Sequence, residues 1–360
     1  MKKRPKIAVL VPRFGIVERG AENFTREFVE YLSPDFEIEI FSRASGRGVK
    51  KIWAVGESTR FLQFIYNLNP AFKKVLDKFY LTPVDFEMLT FSIACLPHLL
   101  FGKYDLLFPG NGVWGAIVSR TIRFLRGIPY IYRSAGGFEP QIVRQRPSVY
   151  VATTPETADK IKKYSRDTKV VIIPNGVNTN KFSPKVKSAY LNLQKPIFVC
   201  ACALIPQKKV DLAIRAVARL KKGSLLVLGG GLFYDELMGL GKKFLGSRRF
   251  LIKSVSHSLM PSYLRAGDVF TLPSLGEPFG NVYLEAMACG LSVVASWDAN
   301  RKFIIGQAGV LCDVENIEEY SKTLFKVSRK KWGSLPRQQA MKFSWDKVAK
   351  EYKKLLQKIN

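Results

Sequence analysis

Short runs of apolar and β-branched residues alternate with helically spaced apolar residues along most of the chain. The run at 6–11 is followed by a loop at 12–20, after which Phe24, Phe28 and Leu32 recur at every fourth position. This pattern predicts a strand, a loop and an amphipathic helix. Similar apolar runs predict further strands at 37–41, 106–108, 130–132, 150–152 and 170–173. Strands that alternate with helices are typical of a parallel sheet covered on both faces.

A second series of strands and helices follows an irregular stretch of the chain. Residues 174–178 read Pro-Asn-Gly-Val-Asn, which favours tight turns, and the sequence predicts no core strand before residue 197. Apolar runs then predict strands at 197–203, 225–228, 250–252, 269–272 and 292–295. We therefore predict an α/β protein with two Rossmann-like, doubly wound parallel-sheet domains at 1–180 and 181–339. A C-terminal helix at 340–360 is expected to pack back on the first domain.

The charge balance is the unusual feature of the composition. The chain has 57 Lys and Arg against 29 Asp and Glu, a formal net charge of +28 at pH 7. Such an excess favours anionic partners, and nucleic acid, an anionic membrane and a sugar nucleotide would all fit. A basic nucleic-acid-binding protein is thus an alternative supported by charge alone. Because the aromatic residues follow core periodicity and no nucleic-acid recognition motif is found, we expect no nucleic-acid partner.

The sequence predicts neither a signal peptide nor a membrane-spanning helix. The basic residues 1–4 precede an alternating strand pattern rather than an apolar segment with a cleavage site. The longest apolar stretch, 86–101, contains an acid, a proline and a histidine, and is shorter than the roughly 20 residues that a spanning helix needs. We expect a cytoplasmic protein with reduced cysteines and no metal site.

The strongest candidate chemistry lies at 271–290, which reads TLPSLGEPFGNVYLEAMACG. A strand is predicted to end near Pro273, followed by a loop with Glu277 and a helix from about Gly280. Open α/β sheets bind ligands at the carboxyl ends of their strands, and a helix start is a favourable place for a diphosphate. Glu285, two helical turns beyond Glu277, would accept hydrogen bonds from ribose hydroxyls. For an isolated pair of acids with this spacing, two ordinary exposed residues on a helix are the better interpretation, so the surrounding sequence must decide.

That surrounding sequence resembles the retaining, two-lobed glycosyltransferases of family GT4, the glycosyltransferase group 1 family. Residues 273–296 are similar to the family's E-x7-E signature block, and 173–182, 204–212 and 268–270 are similar to further landmarks. The resemblance extends over nearly the whole chain and implies a GT-B fold, with two Rossmann-like domains that face a cleft. It also implies retaining transfer of a hexosyl group from a UDP- or GDP-linked sugar to a lipid-linked or glycan acceptor. No cofactor is implied beyond this donor, and since the sequence has no Asp-x-Asp element we expect metal-independent catalysis.

The resemblance assigns roles to residues of the second domain. It makes Glu285 the ribose ligand, Glu277 a contact to the donor-sugar hydroxyls, and Lys208 the cation that neutralises the donor diphosphate. We expect Glu277 and Lys208 to be the catalytic residues. The sugar and phosphate groups would rest on the backbone of Phe279, Gly280 and Asn281.

The first domain departs from the family pattern. Gly20 is similar to the second glycine of the family's Gly-Gly-Ala-Glu loop and is expected to admit the donor phosphates, but Arg19 replaces the first glycine. Ala203 stands where relatives have an arginine, and Arg-Ser-Ala-Gly-Gly at 133–137 replaces a His-Gly. These departures leave a noncatalytic sugar-nucleotide binder as an alternative. We place three residues on the acceptor or phosphate side: Arg19, Arg133 and Gly136.

The C-terminal segment has the pattern of a surface for an anionic membrane. Eleven Lys and Arg lie between Lys326 and Lys358 against two acids, and the helical part interleaves lysines with Trp345, Val348, Tyr352 and Leu355. Such a stripe is able to lie on an anionic bilayer, where the apolar segment 61–101 would add an insertion face. The alternative is that these apolar residues pack on the protein. The expected location is the cytoplasm, peripheral at the inner membrane face.

Overall fold

The computed structural model describes residues 4–17, 20–56, 58–67, 69–78, 81–110 and 112–359. The chain forms two compact units. Unit 1 comprises Met1–Pro174 together with Ala349–Asn360, and unit 2 comprises Asn175–Val348. The boundary therefore falls between residues 174 and 175 rather than between 180 and 181, and the end of the C-terminal helix belongs to unit 1.

Unit 1 is built on parallel strands with helices between them. Its strands are β1 (Lys6–Leu10), β2 (Glu37–Ser42), β3 (Val49–Lys51), β4 (Leu106–Pro109), β5 (Ile131–Arg133), β6 (Val149–Ala152) and β7 (Val170–Ile172). They pair in the orders β3-β2-β1-β4 and β5-β6-β7, and a parallel bridge from Leu107 to Tyr130 connects the two sets. The helices are α1 (Gly20–Leu32), α2 (Arg60–Asn67), α3 (Pro70–Lys78), α4 (Pro83–Phe101), α5 (Val113–Arg126), α6 (Pro140–Val143) and α7 (Pro155–Tyr164).

The apolar face predicted for α1 is the face that packs in the core of unit 1. Phe24, Phe28 and Leu32 are all buried, and the Phe28 ring lies 5.0 Å from that of Phe108 on β4. Tyr352 of the C-terminal helix completes this aromatic cluster, with its ring centroid 5.3 Å from that of Phe28. Burial of several aromatic rings is a large part of what stabilises a domain of this size.

Helix α4 combines an apolar sequence with a buried ion pair. By length and composition it is the one helix, among the described residues, that would suffice to cross a membrane. Its Phe91, Cys95 and Leu99 pack in the core of unit 1. Glu87 in the same helix is fully buried and accepts hydrogen bonds from Arg13 and Arg43, both at 2.9 Å. The acid that interrupts the apolar stretch is thus satisfied inside the protein.

The C-terminal helix α15 (Trp345–Ile359) does not present an apolar stripe to a membrane. Trp345 packs beside Gly176, Tyr352 is fully buried against the rings of α1, and Val348 and Leu355 are buried as well. The prediction that these four side chains form a membrane-facing surface is therefore wrong, and the alternative, packing on the protein, holds. The helix periodicity was correct, but it marked a core-facing side.

Unit 2 contains a single six-stranded parallel sheet. Its strands β8 (Ile197–Ala201), β9 (Ser224–Leu228), β10 (Phe250–Lys253), β11 (Val269–Leu272), β12 (Ser292–Ser296) and β13 (Gly309–Cys312) pair in the order β10-β9-β8-β11-β12-β13. The helices are α8 (Val210–Ala218), α9 (Tyr234–Leu245), α10 (Met260–Ala266), α11 (Asn281–Ala288), α12 (Ala299–Ile305), α13 (Ile317–Arg329) and α14 (Leu335–Met341). The strand order reverses direction between β8 and β11, which creates a topological switch point at the carboxyl ends of these two strands.

Two glycines allow the loops after β8 and β9 to touch. Gly229 and Gly231 have φ values of 155° and 151°, and a Cβ on Gly229 would lie 1.9 Å from the carbonyl oxygen of Cys202. The Leu204 N–H donates to the carbonyl of Gly230 at 2.9 Å. Since a side chain here would force the loops apart, the Gly-Gly-Gly segment fixes the path of the chain as it leaves β8 towards Lys208.

Candidate functional site

The candidate site lies at the switch point of the sheet in unit 2. The loop after β8 ends in a 3-10 turn, Pro206–Lys208, and the loop after β11 runs from residue 273 to the start of α11. The Ser274 hydroxyl donates to the carbonyl of Gln207 at 3.3 Å, which ties one loop to the other. The fold therefore brings together Lys208 and Glu277, which are far apart in sequence.

Lys208 and Glu277 form an ion pair. The Lys208 ammonium donates to the Glu277 carboxylate, and their side chains are 20% and 14% exposed. Each charge is therefore partly removed from water and neutralised by the other. An incoming ligand with both anionic and hydroxyl groups would offer new partners to each side chain.

The start of α11 is shaped by a glycine. Gly280 has φ 81°, and a Cβ there would lie 2.6 Å from the ring of Tyr283 and 2.9 Å from Cγ of Glu277. Glycine also has no side chain with which to cap the first N–H groups of the helix. Asn281, the first residue of the helix, accepts a hydrogen bond at 2.8 Å through its Oδ1 from the amide of Asn175. The geometry suits an anion at the helix start.

The side chain of Phe279 is buried, which leaves only its backbone available to a ligand. The ring is 3% exposed and packs edge-on against Phe343, with centroids 6.4 Å apart. This packing holds the loop against the core of unit 2, so that the main chain at 279–281 is fixed in place.

Glu285 is held by a histidine that sequence reasoning did not assign to the site. Nε2 of His257, from the loop after β10, lies 3.1 Å from Oε1 of Glu285, and Nδ1 lies 2.8 Å from the ammonium of Lys181. An ammonium is only a donor, so Nδ1 must accept, and the ring proton sits on Nε2 and points at Glu285. Lys181 and His257 thus orient one carboxylate oxygen of Glu285.

A buried arginine supports the loop and helix that form the site. Arg301 of α12 is 2% exposed, and it donates to the carbonyl of Ser274, to the Asp298 carboxylate and, at 3.2 Å, to the Tyr283 hydroxyl. Burial raises the pKa of Tyr283, so this hydroxyl remains protonated at neutral pH. The sequence carried no signal for Arg301, because an arginine in a short helix has the pattern of an exposed residue.

The site residues predicted in unit 1 differ from one another in burial. Arg133, at the end of β5, is 4% exposed, and its guanidinium stacks 3.8 Å above the Phe24 ring. Gly136 is in the exposed loop that follows, and Gly20 is the first residue of α1. Arg19 lies outside the described residues. The structure therefore places Arg133 inside unit 1, packed on an aromatic ring, rather than on its surface.

One acid near Arg133, Glu139, is half-buried. Tyr132 donates to Oε2 of Glu139 at 3.1 Å, and burial raises the pKa of the Glu139 carboxyl, against the opposing effects of this hydrogen bond and of Arg133. Across the described ranges, the structure has no cluster of three or more His, Cys, Asp or Glu side chains that could hold a metal ion.

Part of unit 2 matches a known protein family. Residues 195–329, most of unit 2, match the family described as "Glycosyl transferases group 1". The chain is 29% identical to a GDP-mannose-dependent alpha-(1-6)-phosphatidylinositol monomannoside mannosyltransferase of Mycolicibacterium smegmatis, over 41% of this chain and 44% of that protein. It is 30% identical to a probable sucrose-phosphate synthase of Thermosipho melanesiensis, over 59% of this chain and 50% of that protein. The chain thus spans about half the length of the curated relatives it matches.

Solved structures match over almost the full chain. The sucrose-phosphate synthase of Thermosynechococcus elongatus superposes with a TM-score of 0.79 at 17% identity, covering 99% of both chains. Anabaena HepE in complex with UDP and glucose gives a TM-score of 0.69 at 17% identity, covering 99% of this chain and 100% of that one. The fold is therefore GT-B, with two Rossmann-like units. The match of residues 195–329 confirms the resemblance to the glycosyltransferase group 1 family for that part of the chain.

Proposed function

We propose that this protein is a glycosyltransferase that moves a hexosyl group from a nucleoside-diphosphate sugar to an acceptor. The observation that carries the proposal is the convergence of the Lys208–Glu277 pair, the start of α11 and Glu285 at one switch point. The family match over the same unit supports it, as does the similarity in fold to a protein solved with UDP and glucose.

The nucleoside would be held through its ribose. One oxygen of Glu285 lies 3.1 Å from Nε2 of His257, and the other oxygen would accept hydrogen bonds from the hydroxyls of a ribose. A charge-assisted hydrogen bond of this kind is stronger than a neutral one. The diphosphate would lie against the start of α11, where the backbone N–H groups of Gly280 and Asn281 would contact it.

Lys208 and Glu277 would act on the bond that breaks. With a donor between them, Lys208 pairs with the diphosphate and Glu277 accepts from hydroxyls of the transferred sugar. Negative charge grows on the departing phosphate as the glycosidic bond lengthens, and a fixed ammonium stabilises this charge more in the transition state than in the ground state. In retaining transfer the acceptor attacks from the side that the nucleotide leaves, and the departing phosphate oxygen takes the acceptor proton. This step requires no metal ion and no protein base.

The acceptor would be lipid-linked or a glycan, bound by unit 1. One relative is named for a phosphatidylinositol monomannoside substrate, and the net charge of +28 favours an anionic acceptor or an anionic membrane surface. We therefore propose a cytoplasmic protein that acts peripherally at the inner face of the membrane.

The first test is a thermal-shift panel of UDP- and GDP-linked hexoses, because a ligand stabilises the native state by RT ln(1 + [L]/Kd). Donors that stabilise the protein are then assayed for nucleoside-diphosphate release and transfer to acceptors, with and without a chelator. Nuclear magnetic resonance of the product's anomeric linkage tests retention. Stabilisation without turnover would support a noncatalytic sugar-nucleotide binder. If no donor stabilises the protein but DNA or RNA binds in a salt-sensitive manner, the proposal fails.

A further inference from the structure

Unit 2 has a cavity that the proposed donor site does not use. It has a volume of about 610 Å³ and is lined by residues that precede β8, follow α8 and end α13. None of the described residues that line the cavity is acidic. Five of them are cationic: Lys195, Arg219, Lys221, Lys222 and Arg329. Cations gathered from three segments repel one another, and a bound anion would relieve this repulsion.

The cavity lies at the amino ends of the strands, whereas the donor site lies at their carboxyl ends. Its residues flank the beginnings of β8 and β9, whereas Lys208 and Glu277 follow the ends of β8 and β11. The five residues of β8, at about 3.3 Å each, separate these two ends of the sheet by about 17 Å. A ligand in the cavity would therefore leave the donor site open.

Most of the cations of the cavity form no salt bridge with a carboxylate of the described residues. Lys195 pairs with Asp268 at 2.9 Å, but within the described part of the chain no salt bridge joins any of the other four to an acid. The carbonyl groups at the end of α8 would be natural partners for them. These carbonyls are taken by Arg249, whose guanidinium donates to Val217 at 3.2 Å and to Leu220 at 2.9 Å. Four of the five cations therefore form no salt bridge within the described part of the chain, although the charge of Arg219 interacts with that of Glu318.

An apolar surface adjoins the cations. Phe325 of α13 is 52% exposed, while the neighbouring Leu324 and Val327 are buried in the core. The Phe325 ring lies 5.5 Å from the Arg329 guanidinium, and Leu220 is another lining residue of the cavity. An inorganic anion alone would leave this apolar surface uncovered. A ligand with an apolar part would cover it.

We propose that this cavity binds a phosphate group attached to an apolar moiety, as a site separate from the donor site and independent of the proposed function. A phospholipid headgroup and a soluble phosphorylated compound share this chemistry. In either case the cationic rim would hold the phosphate, and Phe325 and Leu220 would contact the apolar part.

The test compares two lysine pairs. The variant Lys221→Gln/Lys222→Gln removes two cations of the cavity, and Lys162→Gln/Lys163→Gln removes an exposed pair from α7 as a control with the same change in net charge. Binding is measured to inorganic tripolyphosphate and to phosphatidylcholine vesicles with or without phosphatidic acid. The Lys208→Ala background is used so that the donor site contributes less to tripolyphosphate binding.

The cavity variant should bind about thirtyfold more weakly, because it loses two cations that would each contribute about 1 kcal/mol near an anionic surface. The control loses two cations that lie outside the cavity, so it should bind within about twofold of the parent. If the cavity variant loses binding to the vesicles alone, the ligand is a lipid phosphate. If it loses binding to tripolyphosphate alone, the ligand is a soluble phosphate. Phe325→Ser should reduce vesicle binding while preserving tripolyphosphate binding if the source is a lipid. Equal losses in the cavity and control variants, or no loss in either, would overturn the proposal. Donor turnover by the Lys221→Gln/Lys222→Gln variant in the otherwise unchanged chain should be preserved.

Discussion

Replacement of His257 by alanine tests whether the site in unit 2 binds a nucleotide through an oriented carboxylate. His257 donates from Nε2 to Glu285 and accepts at Nδ1 from Lys181, at 3.1 and 2.8 Å. His257→Ala removes the link between an ammonium and the carboxylate expected to bind ribose. Glu285 would keep its charge but lose the contact that fixes its oxygen atoms. We therefore expect weaker binding of ribose, with no direct effect on the diphosphate.

The size of the effect follows from the number of hydrogen bonds lost. Glu285→Ala removes the charged acceptor itself, worth roughly 1.5 to 3 kcal/mol, or about a tenfold to 150-fold increase in Kd for a nucleoside diphosphate. His257→Ala leaves that acceptor in place but less oriented, so we expect roughly 0.5 to 1.5 kcal/mol, about a two- to twelvefold increase. His257→Gln should recover most of the affinity, because an amide offers both a donor and an acceptor.

Isothermal titration calorimetry with the nucleoside diphosphate that stabilises the protein best measures these differences. The matched ligand is its 2′,3′-dideoxy analogue, which lacks the hydroxyls that Glu285 is proposed to bind. Wild type and His257→Ala should bind this analogue equally, and His257→Ala should cost nothing further in a Glu285→Ala background. If His257→Ala weakens both ligands equally, the positioning argument is refuted. Unchanged nucleotide affinity in Glu285→Ala would instead refute the ribose assignment itself.

Three other predictions test catalysis and stability. Lys208→Ala should lower the transfer rate more than the donor affinity in steady-state kinetics. Because Lys208 and Glu277 form an ion pair, Glu277→Ala should lower the transfer rate less in the Lys208→Ala background than in the wild type. Glu87→Ala should lower the free energy of unfolding of unit 1 by about 3 to 5 kcal/mol in urea titrations, since it leaves two arginines without their buried partner. The raised pKa of Glu139 means that the folded state binds its proton more tightly than the unfolded state, so stability from this group is present at low pH and is lost as pH rises through the folded pKa. Glu139→Gln should therefore stabilise the protein at neutral pH, and urea titrations near pH 4 should show that this advantage fades.

The alternation of strands and helices was predictable because it rests on local periodicity. The apolar faces of α1 and of the buried strands appear directly as spacings of four and as continuous apolar runs. The E-x7-E segment was predictable for a related reason, since its strand, loop and helix are contiguous in sequence. Lys208 and Glu277 were both expected in the site, but their direct pairing depends on β8 and β11 being neighbours, which no local pattern states.

The residues that sequence reasoning missed reach the site from distant segments. Lys181 meets His257 across 76 positions, and Asn175 meets Asn281 across 106. A lone histidine has the same local pattern whether it packs in a core, faces solvent or orients a carboxylate. The connection from the edge strand β10 crosses back over β9 and β8 to reach β11, and this long-range crossover brings the loop after β10, with His257, beside Glu285 of α11.

The basic C-terminal region shows how tertiary structure regroups charges that are adjacent in sequence. Arg329 and the lysines of α15 belong to one basic stretch when charges are counted along the chain. In the structure Arg329 ends α13 and lines a cavity with Lys195 and Lys221, whereas Lys353 of α15 pairs with Asp35 in unit 1. The apolar face of α15 is buried, so an anionic surface would find no insertion face on this helix. The same excess of charge therefore favours anion binding at the cavity of unit 2, where cations and an exposed aromatic ring adjoin.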